Sequence, residues 1–404
     1  MTSTAAPVLR RRLGLTLLTL YGVGITVGAG IYVLIGAVAG RAGSYSVWSF
    51  LIAAVVMAFT VASYAELSTR FPVSAGEAAY VREAFRSRAL STATGLLTIA
   101  IGVVSSATVA IGAAGYIGQF LDWPNAAIIV TVVIVLGAVA GWGILESVLL
   151  AALFTVIEVS GLALIIGAGF VAGVPALDAV MVVPPLDMAA WSGISLAALL
   201  AFFAFIGFED LANVVEEAKS PHRDLPRAMA LTLVISTVLY VAVAAIAVVA
   251  VPPAELAGSP APLSLVFHRL LGISPAAVGL IAIVATLNTI LAMMTMAARV
   301  IYGMARQGDL PAIAGHVHHR TATPLLATLL IVVLTLVLAL VFPIERLAEW
   351  TSVATLTVFA LVNIALLRLR HRRVITHGPH VRVPIWVPAV GFATCVAMIA
   401  VALF

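Results

Sequence analysis

Long runs of apolar residues alternate with short polar segments along the whole chain. A transmembrane helix needs roughly 20 apolar residues, so runs of this length predict helices that cross a bilayer. The pattern predicts an all-α membrane protein with eleven transmembrane helices, over residues 13–39, 45–69, 90–118, 124–142, 147–172, 191–215, 228–251, 275–304, 324–342, 347–368 and 384–404.

The first run is crowded with glycines, and its centre reads GITVGAGIYV over residues 24–33. Glycine in a helix interior costs about 1 kcal/mol relative to alanine. A break there frees backbone groups that lipid cannot satisfy, so it is tolerated only where the backbone is buried or lines a cavity. Two interpretations follow: a broken helix that forms a binding site, or close helix packing through the small residues Gly24 and Gly28.

The sixth run is interrupted in a similar way, by Gly207 and the two acids Glu209 and Asp210. Interrupted first helices in two halves of a chain are typical of inverted-repeat transporters. This second break favours the broken-helix interpretation of the first. It predicts one membrane domain made of a repeat over 13–172, an inverted repeat over 191–368, and an eleventh helix over 384–404.

Composition indicates the class of protein, and the distribution of basic residues indicates the orientation of the chain in the membrane. Hydrophobic residues make up 63% of the chain and charged residues 9%, far below the ~25% charged residues of a soluble domain. Under the positive-inside rule, 18 of the 21 Lys and Arg residues fall on the side of the N-terminus, which predicts a cytoplasmic N-terminus in a cell membrane. The basic residues occupy short loops and form no nucleic-acid-binding patch.

Three acids lie at membrane depth: Glu158 near the middle of the fifth run, and Glu209 and Asp210 in the break of the sixth. A charge there costs at least ~2.5–3.5 kcal/mol, which makes each a functional candidate. Glu158 and Glu209 are candidates for proton coupling. The alternatives are a protonated Glu158 bonded to a neighbouring helix, and Glu209 as an acceptor for N–H groups freed at the break. Asp210 is expected to point elsewhere.

No residue pattern indicates a cofactor or a metal. The ATP-binding motif GxxxxGK[ST] is absent, and the cluster His316, His318 and His319 is expected to be a solvated loop. All eight histidines lie outside the predicted helices, and Asp210 is the clearest intramembrane aspartate. A membrane enzyme, which needs a nucleophile and base or paired aspartates on facing helices, is therefore disfavoured.

Four stretches together carry a resemblance to a known family: GITVGAGIYV (24–33), YAELSTRFPVSAGEAAYV (64–81), FFAFIGFEDLANVVEEAKSPHRDLPRA (202–228) and ARVIYGMARQGDLP (298–311). The chain resembles amino-acid permeases of the amino acid–polyamine–organocation superfamily, in particular bacterial relatives of the cationic amino acid transporters. The resemblance covers essentially the whole chain.

The resemblance implies a fold of two inverted five-helix repeats, with the substrate between the unwound parts of helices 1 and 6. It implies that the N–H groups of Gly28, Ala29 and Gly30 hold the substrate carboxylate. The substrate ammonium would bind the carbonyls of the other matching positions, Thr26, Phe203 and Ile206. Phe203 also matches an aromatic gate, and Glu209 a glutamate that some members use for proton sensing.

Two departures from the family affect the prediction. Glu158 occupies a position that is often lysine in proton-coupled members, and many members have twelve membrane helices. The sequence therefore predicts a secondary active amino-acid transporter working by alternating access, with a proton or sodium as coupling ion. An exchanger, a substrate-binding sensor and a channel remain alternatives. The apolar residues Phe203, Phe208, Met293 and Met294 favour neutral substrates, whereas the family favours a broad range that includes cationic ones.

Overall fold

The computed structural model describes residues 13–71, 76–142, 148–318, 321, 323–373 and 380–403. Every regular element in these ranges is helical. The helices are α1 (Leu15–Val27), α2 (Ala29–Ala42), α3 (Ser46–Arg70), α4 (Gly76–Phe85), α5 (Arg88–Ile117), α6 (Asn125–Trp142), α7 (Val148–Val171), α8 (Ala176–Met181), α9 (Met188–Phe203), α10 (Pro221–Ala250), α11 (Pro253–Gly258), α12 (Pro262–Leu271), α13 (Ala276–Arg306), α14 (Leu325–Val341), α15 (Ile344–His371) and α16 (Trp386–Leu403).

The prediction of a multi-helix membrane protein is confirmed. In the described ranges, nine helical stretches are long and apolar enough to cross a membrane. The first of them, Leu15–Arg70, contains a break at Gly28 and a 3-10 turn over Gly43–Tyr45. Leu325–Val341 is apolar but shorter. The predicted basic residues Arg10–Arg12 and Arg320, together with His319, lie outside the described residues.

The apolar runs coincide closely with helices, and the largest difference is at the start of α10. The sequence predicts this helix from 228, whereas it begins at Pro221 and contains Pro226. Pro221 is tolerated because it lies in the first turn, where the missing N–H has no helical partner, whereas Pro226 lies inside the helix. The apolar pattern does not predict the short helices α4, α8, α11 and α12, which lie in the connections.

Small residues let the central helices approach each other. Helix α5 packs along α13, α3 along α10, and α2 along α9. A Cβ on Gly102 of α5 would lie 2.9 Å from the Cβ of Ala297 and 3.1 Å from the carbonyl oxygen of Met293, both on α13. Contacts of this kind replace the hydrophobic driving force that helices in lipid lack.

Two sets of polar contacts hold the ends of the broken helices and their neighbours in place. The N–H of Leu13, just before α1, donates to the Glu217 carbonyl at 3.0 Å, and the Lys219 N–H donates to the Leu13 carbonyl at 2.8 Å. Near the C-terminal end of α3, the buried Glu66 carboxylate accepts from Arg70 at 2.7 Å and from Nε of Arg370, on α15, at 2.9 Å. These charge-assisted bonds fix α3 and α15 relative to each other.

Candidate functional site

The first helix is broken at Gly28, as the glycine pattern predicts. Helix α1 ends at Val27 and α2 begins at Ala29, with Gly28 at φ −21° and ψ −140°, outside the helical region. The Ala29 N–H donates to the hydroxyl of Thr289, on α13, at 3.1 Å. A side chain from another helix thus satisfies a backbone donor that the break sets free.

The second break follows α9, which ends at Phe203. The chain then turns and continues as a 3-10 segment, Phe208–Glu217. Gly207 has φ +126°, a conformation that side-chain-bearing residues rarely adopt. Its N–H donates to Oε2 of Glu209 at 2.8 Å. Glu209 therefore has the structural role considered for it, as an acceptor at the break.

The two breaks are in direct contact. A Cβ on Gly30 would lie 2.5 Å from Cα of Ala204, and one on Gly207 would lie 2.9 Å from the carbonyl oxygen of Ile25. The segments before and after each break therefore pack backbone against backbone, which only glycine allows at these two positions.

Tyr240 of α10 joins the breaks through its hydroxyl group. Its oxygen lies 2.7 Å from the Thr26 carbonyl oxygen and 2.7 Å from the Ala204 carbonyl oxygen. The hydroxyl has one proton, so the two carbonyls share a single donor. Tyr240 is fully buried, and it connects the break between α1 and α2 to the break that follows α9.

All the residues that the resemblance implies for substrate binding lie at or beside these breaks. Their side chains and backbone are buried, with exposures of 3% for Thr26, 1% for Ala29, 6% for Phe203 and 7% for Ile206. Gly28 and Gly30 are also buried. The structure is thus closed to bulk water around this junction.

Two of the residues expected to give the site an apolar wall face other parts of the protein. Phe208 packs edge-on against Tyr64 and Phe359, with ring centroids 5.4 and 5.5 Å away. The Met294 methyl group faces α6, where a Cβ on Gly137 would lie 3.6 Å from it. Phe203 and Met293 are buried, with exposures of 6% and 7%.

Glu158 of α7 is fully buried and contacts two other helices. Its Oε1 accepts from Nδ2 of Asn288, on α13, at 3.0 Å. Its backbone carbonyl accepts from the hydroxyl of Tyr32, on α2. Asn288 is followed by Thr289, which accepts from the Ala29 N–H. Two adjacent residues of α13 therefore connect Glu158 to the break between α1 and α2.

Asp210 has a partner of its own on the 3-10 segment. Its Oδ1 accepts from Nδ2 of Asn213 at 3.1 Å. It therefore bonds a different group from the Gly207 N–H that Glu209 binds. No group of three His, Cys, Asp or Glu side chains placed to hold a metal ion occurs within the ranges that the structure describes.

The sequence analysis missed Tyr240, Asn288 and Thr289. A signal for the last two is present, because the polar run TLNT over 286–289 interrupts a long apolar helix. Tyr240 has a weaker signal, as a single hydroxylated aromatic in the apolar part of α10. Its role depends on where the helix lies relative to both breaks.

We predict that Gly30→Ala destabilises the protein by about 1–3 kcal/mol, the usual cost of overpacking a filled interior. The added methyl would meet the backbone of Ala204, so the two broken helices would have to move apart. Thermal unfolding in detergent measures the effect.

The matched control for this substitution is Gly303→Ala on α13, where an added Cβ meets nothing within 4 Å. It should be neutral or stabilise by up to about 1 kcal/mol, through helix propensity alone. Equal unfolding temperatures for the two variants would show that the breaks do not pack as described.

Comparison with known proteins identifies the family. A model of the amino acid permease family matches residues 13–404. The chain is 32% identical to the branched-chain amino acid permease BcaP of Bacillus subtilis over 393 residues, which covers 90% of this chain and 82% of that protein.

Two further relatives with lower identity are named as transporters of other substrates. The chain is 30% identical to the mitochondrial cationic amino acid transporter 3 of Arabidopsis thaliana, over 87% of this chain and 61% of the plant protein. It is 28% identical to a methylthioribose transporter of Bacillus subtilis, over 88% of this chain and 80% of that protein. The resemblance found in the sequence is confirmed, and the chain belongs to the amino acid permease family.

Proposed function

We propose that this protein is a secondary active transporter of amino acids that works by alternating access. The observation that carries the proposal is the contact between two broken helices in the interior of a membrane protein, braced by Tyr240. An amino acid is a zwitterion. Its carboxylate suits the positive N-terminal end of a half-helix, and its ammonium suits carbonyl groups released at a break.

The proposed architecture has eleven membrane helices and two inverted repeats. Splitting Leu15–Arg70 at its 3-10 turn and counting Leu325–Val341 raises the nine apolar stretches to eleven. Elements in corresponding positions of the two halves pack together, as α3 does with α10 and α5 with α13. This pairing is expected of repeats related by a two-fold axis in the membrane plane. The basic residues then place the N-terminus in the cytoplasm.

In the proposed complex, the carboxylate binds the N–H groups of Gly28, Ala29 and Gly30, at the start of α2. The hydroxyl of Thr289 now accepts from the Ala29 N–H, and the substrate carboxylate would replace it as acceptor. The ammonium binds carbonyls of Thr26, Phe203 and Ile206. The Thr26 carbonyl, which accepts from Tyr240, has a second lone pair for the substrate.

The substrate class that fits best is a neutral, branched-chain amino acid. The Bacillus subtilis relative at 32% identity is named as a branched-chain amino acid permease, and the buried residues Phe203 and Ile206 at the second break are apolar. The plant relatives are named as cationic amino acid transporters, which makes arginine and lysine the second candidates.

The direct test is uptake into liposomes that contain the purified protein. We expect leucine, isoleucine or valine to enter with saturation and to accumulate against its gradient, with Gly303→Ala as an active control. Binding is screened independently by thermal shift, because a ligand at 100 times its Kd stabilises by about 2.7 kcal/mol. Uptake that never exceeds equilibration would indicate a channel, and binding without uptake a sensor; either result would refute transport against a gradient.

Phe203 is proposed as the gate over the substrate, because it is the last residue of α9 before the break. Phe203→Ala should lower the transport rate at least tenfold while changing equilibrium affinity by less than about threefold, since a gate contributes to the closing step more than to binding. Phe203→Leu, which keeps most of the volume, is the control. Equal losses of rate and affinity would assign Phe203 to uniform substrate binding.

Glu158 is proposed as the proton-coupling residue, with Asn288 as its partner. The Asn288 amide carries both a donor and an acceptor, and its Oδ1 is buried without a hydrogen-bond partner among the described residues. Its Nδ2 donates to ionised Glu158, and a half-turn of the amide would present its oxygen to protonated Glu158. Proton binding at Glu158 would thus change the α7–α13 contact next to Thr289.

Glu158→Gln mimics the protonated state. It should retain substrate binding and exchange but lose accumulation driven by a pH gradient, which for one coupled proton supports about tenfold per pH unit. Glu209→Gln is the comparison, because Glu209 is the second candidate. If Glu158→Gln still accumulates substrate with unchanged pH dependence, coupling lies elsewhere, and exchange or sodium coupling becomes the better account.

A further inference from the structure

The short helix α4 docks its first turn on the 3-10 segment that follows the second break. Gly76, at φ +55°, begins α4, and a Cβ there would lie 3.0 Å from Oδ1 of Asn213. Asn213 in turn donates to Asp210 at 3.1 Å. The N-terminal end of α4 therefore contacts the 3-10 segment Phe208–Glu217, which would have to move if the junction opened towards α4.

Glu77, the second residue of α4, lies in a cluster of three carboxyl groups. It is 9% exposed, and the other two acids, Glu209 and Asp210, belong to the 3-10 segment that the first turn of α4 contacts. The hydrogen-bond partners of these acids are uncharged: Tyr64 donates to Glu77 at 3.0 Å, the Gly207 N–H to Glu209, and Asn213 to Asp210. Because Glu77 is buried and its side-chain partner is an uncharged hydroxyl group, its ionised form is disfavoured.

The charged groups on the elements around α4 do not neutralise this cluster. Six of them are engaged elsewhere: Arg368 and Arg372 with the Ala84 carbonyl, Arg82 and Arg88 with Asp309, and Arg70 and Arg370 with Glu66. Arg86 and His371 are exposed. Ala84 is at the other end of α4, roughly 10 Å from Glu77 along the helix axis. Glu83, the other acid of α4, is exposed.

A second buried polar side chain, Tyr80, lies three residues after Glu77 on α4. The hydroxyl of Tyr80 is buried and has no hydrogen-bond partner in the part of the chain that the structure describes. The Tyr80 ring packs edge-on against Tyr64, the residue that donates to Glu77. The Tyr80 hydroxyl can accept from a protonated Glu77 and donate to an ionised one, so it is a polar neighbour of Glu77 in either state.

We infer that Glu77 is a proton-binding residue that holds α4 against the 3-10 segment when protonated and releases it when ionised. It would act with Glu209 and Asp210, and it is distinct from Glu158. The role of this release in transport, as proton-linked opening of the site towards the α4 side, rests on the proposed function. The docking of α4 and its proton dependence do not.

The direction of the pH dependence follows from the burial of Glu77. Burial raises the pKa of Glu77 above that of a solvated glutamate, so docked α4 binds the proton more tightly than released α4. Docking is therefore complete at low pH and weakens as pH rises above about 4.3, the ordinary value for glutamate. For one proton the equilibrium constant changes by up to about tenfold per pH unit, until the pH reaches the raised pKa.

Hydrogen exchange of residues 76–85 in the full-length protein in detergent tests the inference. We expect protection factors of α4, corrected for the intrinsic rate and compared with those of α5, to fall by up to about tenfold per unit as pH rises above about 4.3, the ordinary pKa of glutamate. Glu77→Gln should remove this pH dependence, and Glu83→Gln, on the same helix, should keep it. Protection of α4 that does not change with pH, or a profile that Glu77→Gln leaves unchanged, would overturn the inference.

Two further variants keep the test decisive if Glu77→Gln fails to fold. Glu77→Asp retains a titrating carboxyl group on a shorter side chain, and Tyr64→Phe removes only the hydrogen-bond donor. Both should shift the midpoint of the exchange profile, and an unmoved midpoint in both would also overturn the inference. Because exchange needs no substrate, a failure of amino-acid transport leaves this result readable by itself.

Discussion

The interior of this protein depends on how it satisfies the backbone groups that two helix breaks set free. A break in a membrane helix is costly wherever N–H and C=O groups have no partner. Three side chains meet that need here: Thr289 accepts from Ala29, Glu209 accepts from Gly207, and Tyr240 donates to the Thr26 and Ala204 carbonyls. The two breaks are thus stabilised inside the protein without exposing unpaired backbone groups to lipid.

The same partners connect the junction to the rest of the molecule. Thr289 is adjacent to Asn288, which binds Glu158 on α7, and Glu209 belongs to the carboxyl cluster that reaches α4 through Glu77. A substrate that takes the place of Thr289 at the Ala29 N–H would therefore act on a residue one position from the Glu158 contact. In the proposed transporter, substrate binding at the Ala29 N–H would therefore be coupled to Glu158 through Thr289 and Asn288.

Much of this architecture could be predicted from the sequence, because membrane helices are encoded locally by long apolar runs and glycine-rich breaks. Gly28 and Gly207 were recognised for the same reason, since glycine at membrane depth is conspicuous. Tyr240 and Thr289 were not, because their roles come from the packing of α10 and α13 onto distant segments. Helix α4 was missed because only one of its faces is apolar, and the structural role of Glu209 became certain only once the Gly207 N–H was placed.

The most direct measurement is an experimentally determined structure of the purified protein with a branched-chain amino acid bound. The account predicts ligand density at the junction, with the carboxylate on the N–H groups of Gly28, Ala29 and Gly30 and the ammonium near the Thr26 carbonyl, and with Thr289 no longer accepting from Ala29. An amino acid bound elsewhere in the membrane domain, with the Thr289 contact intact, would contradict it.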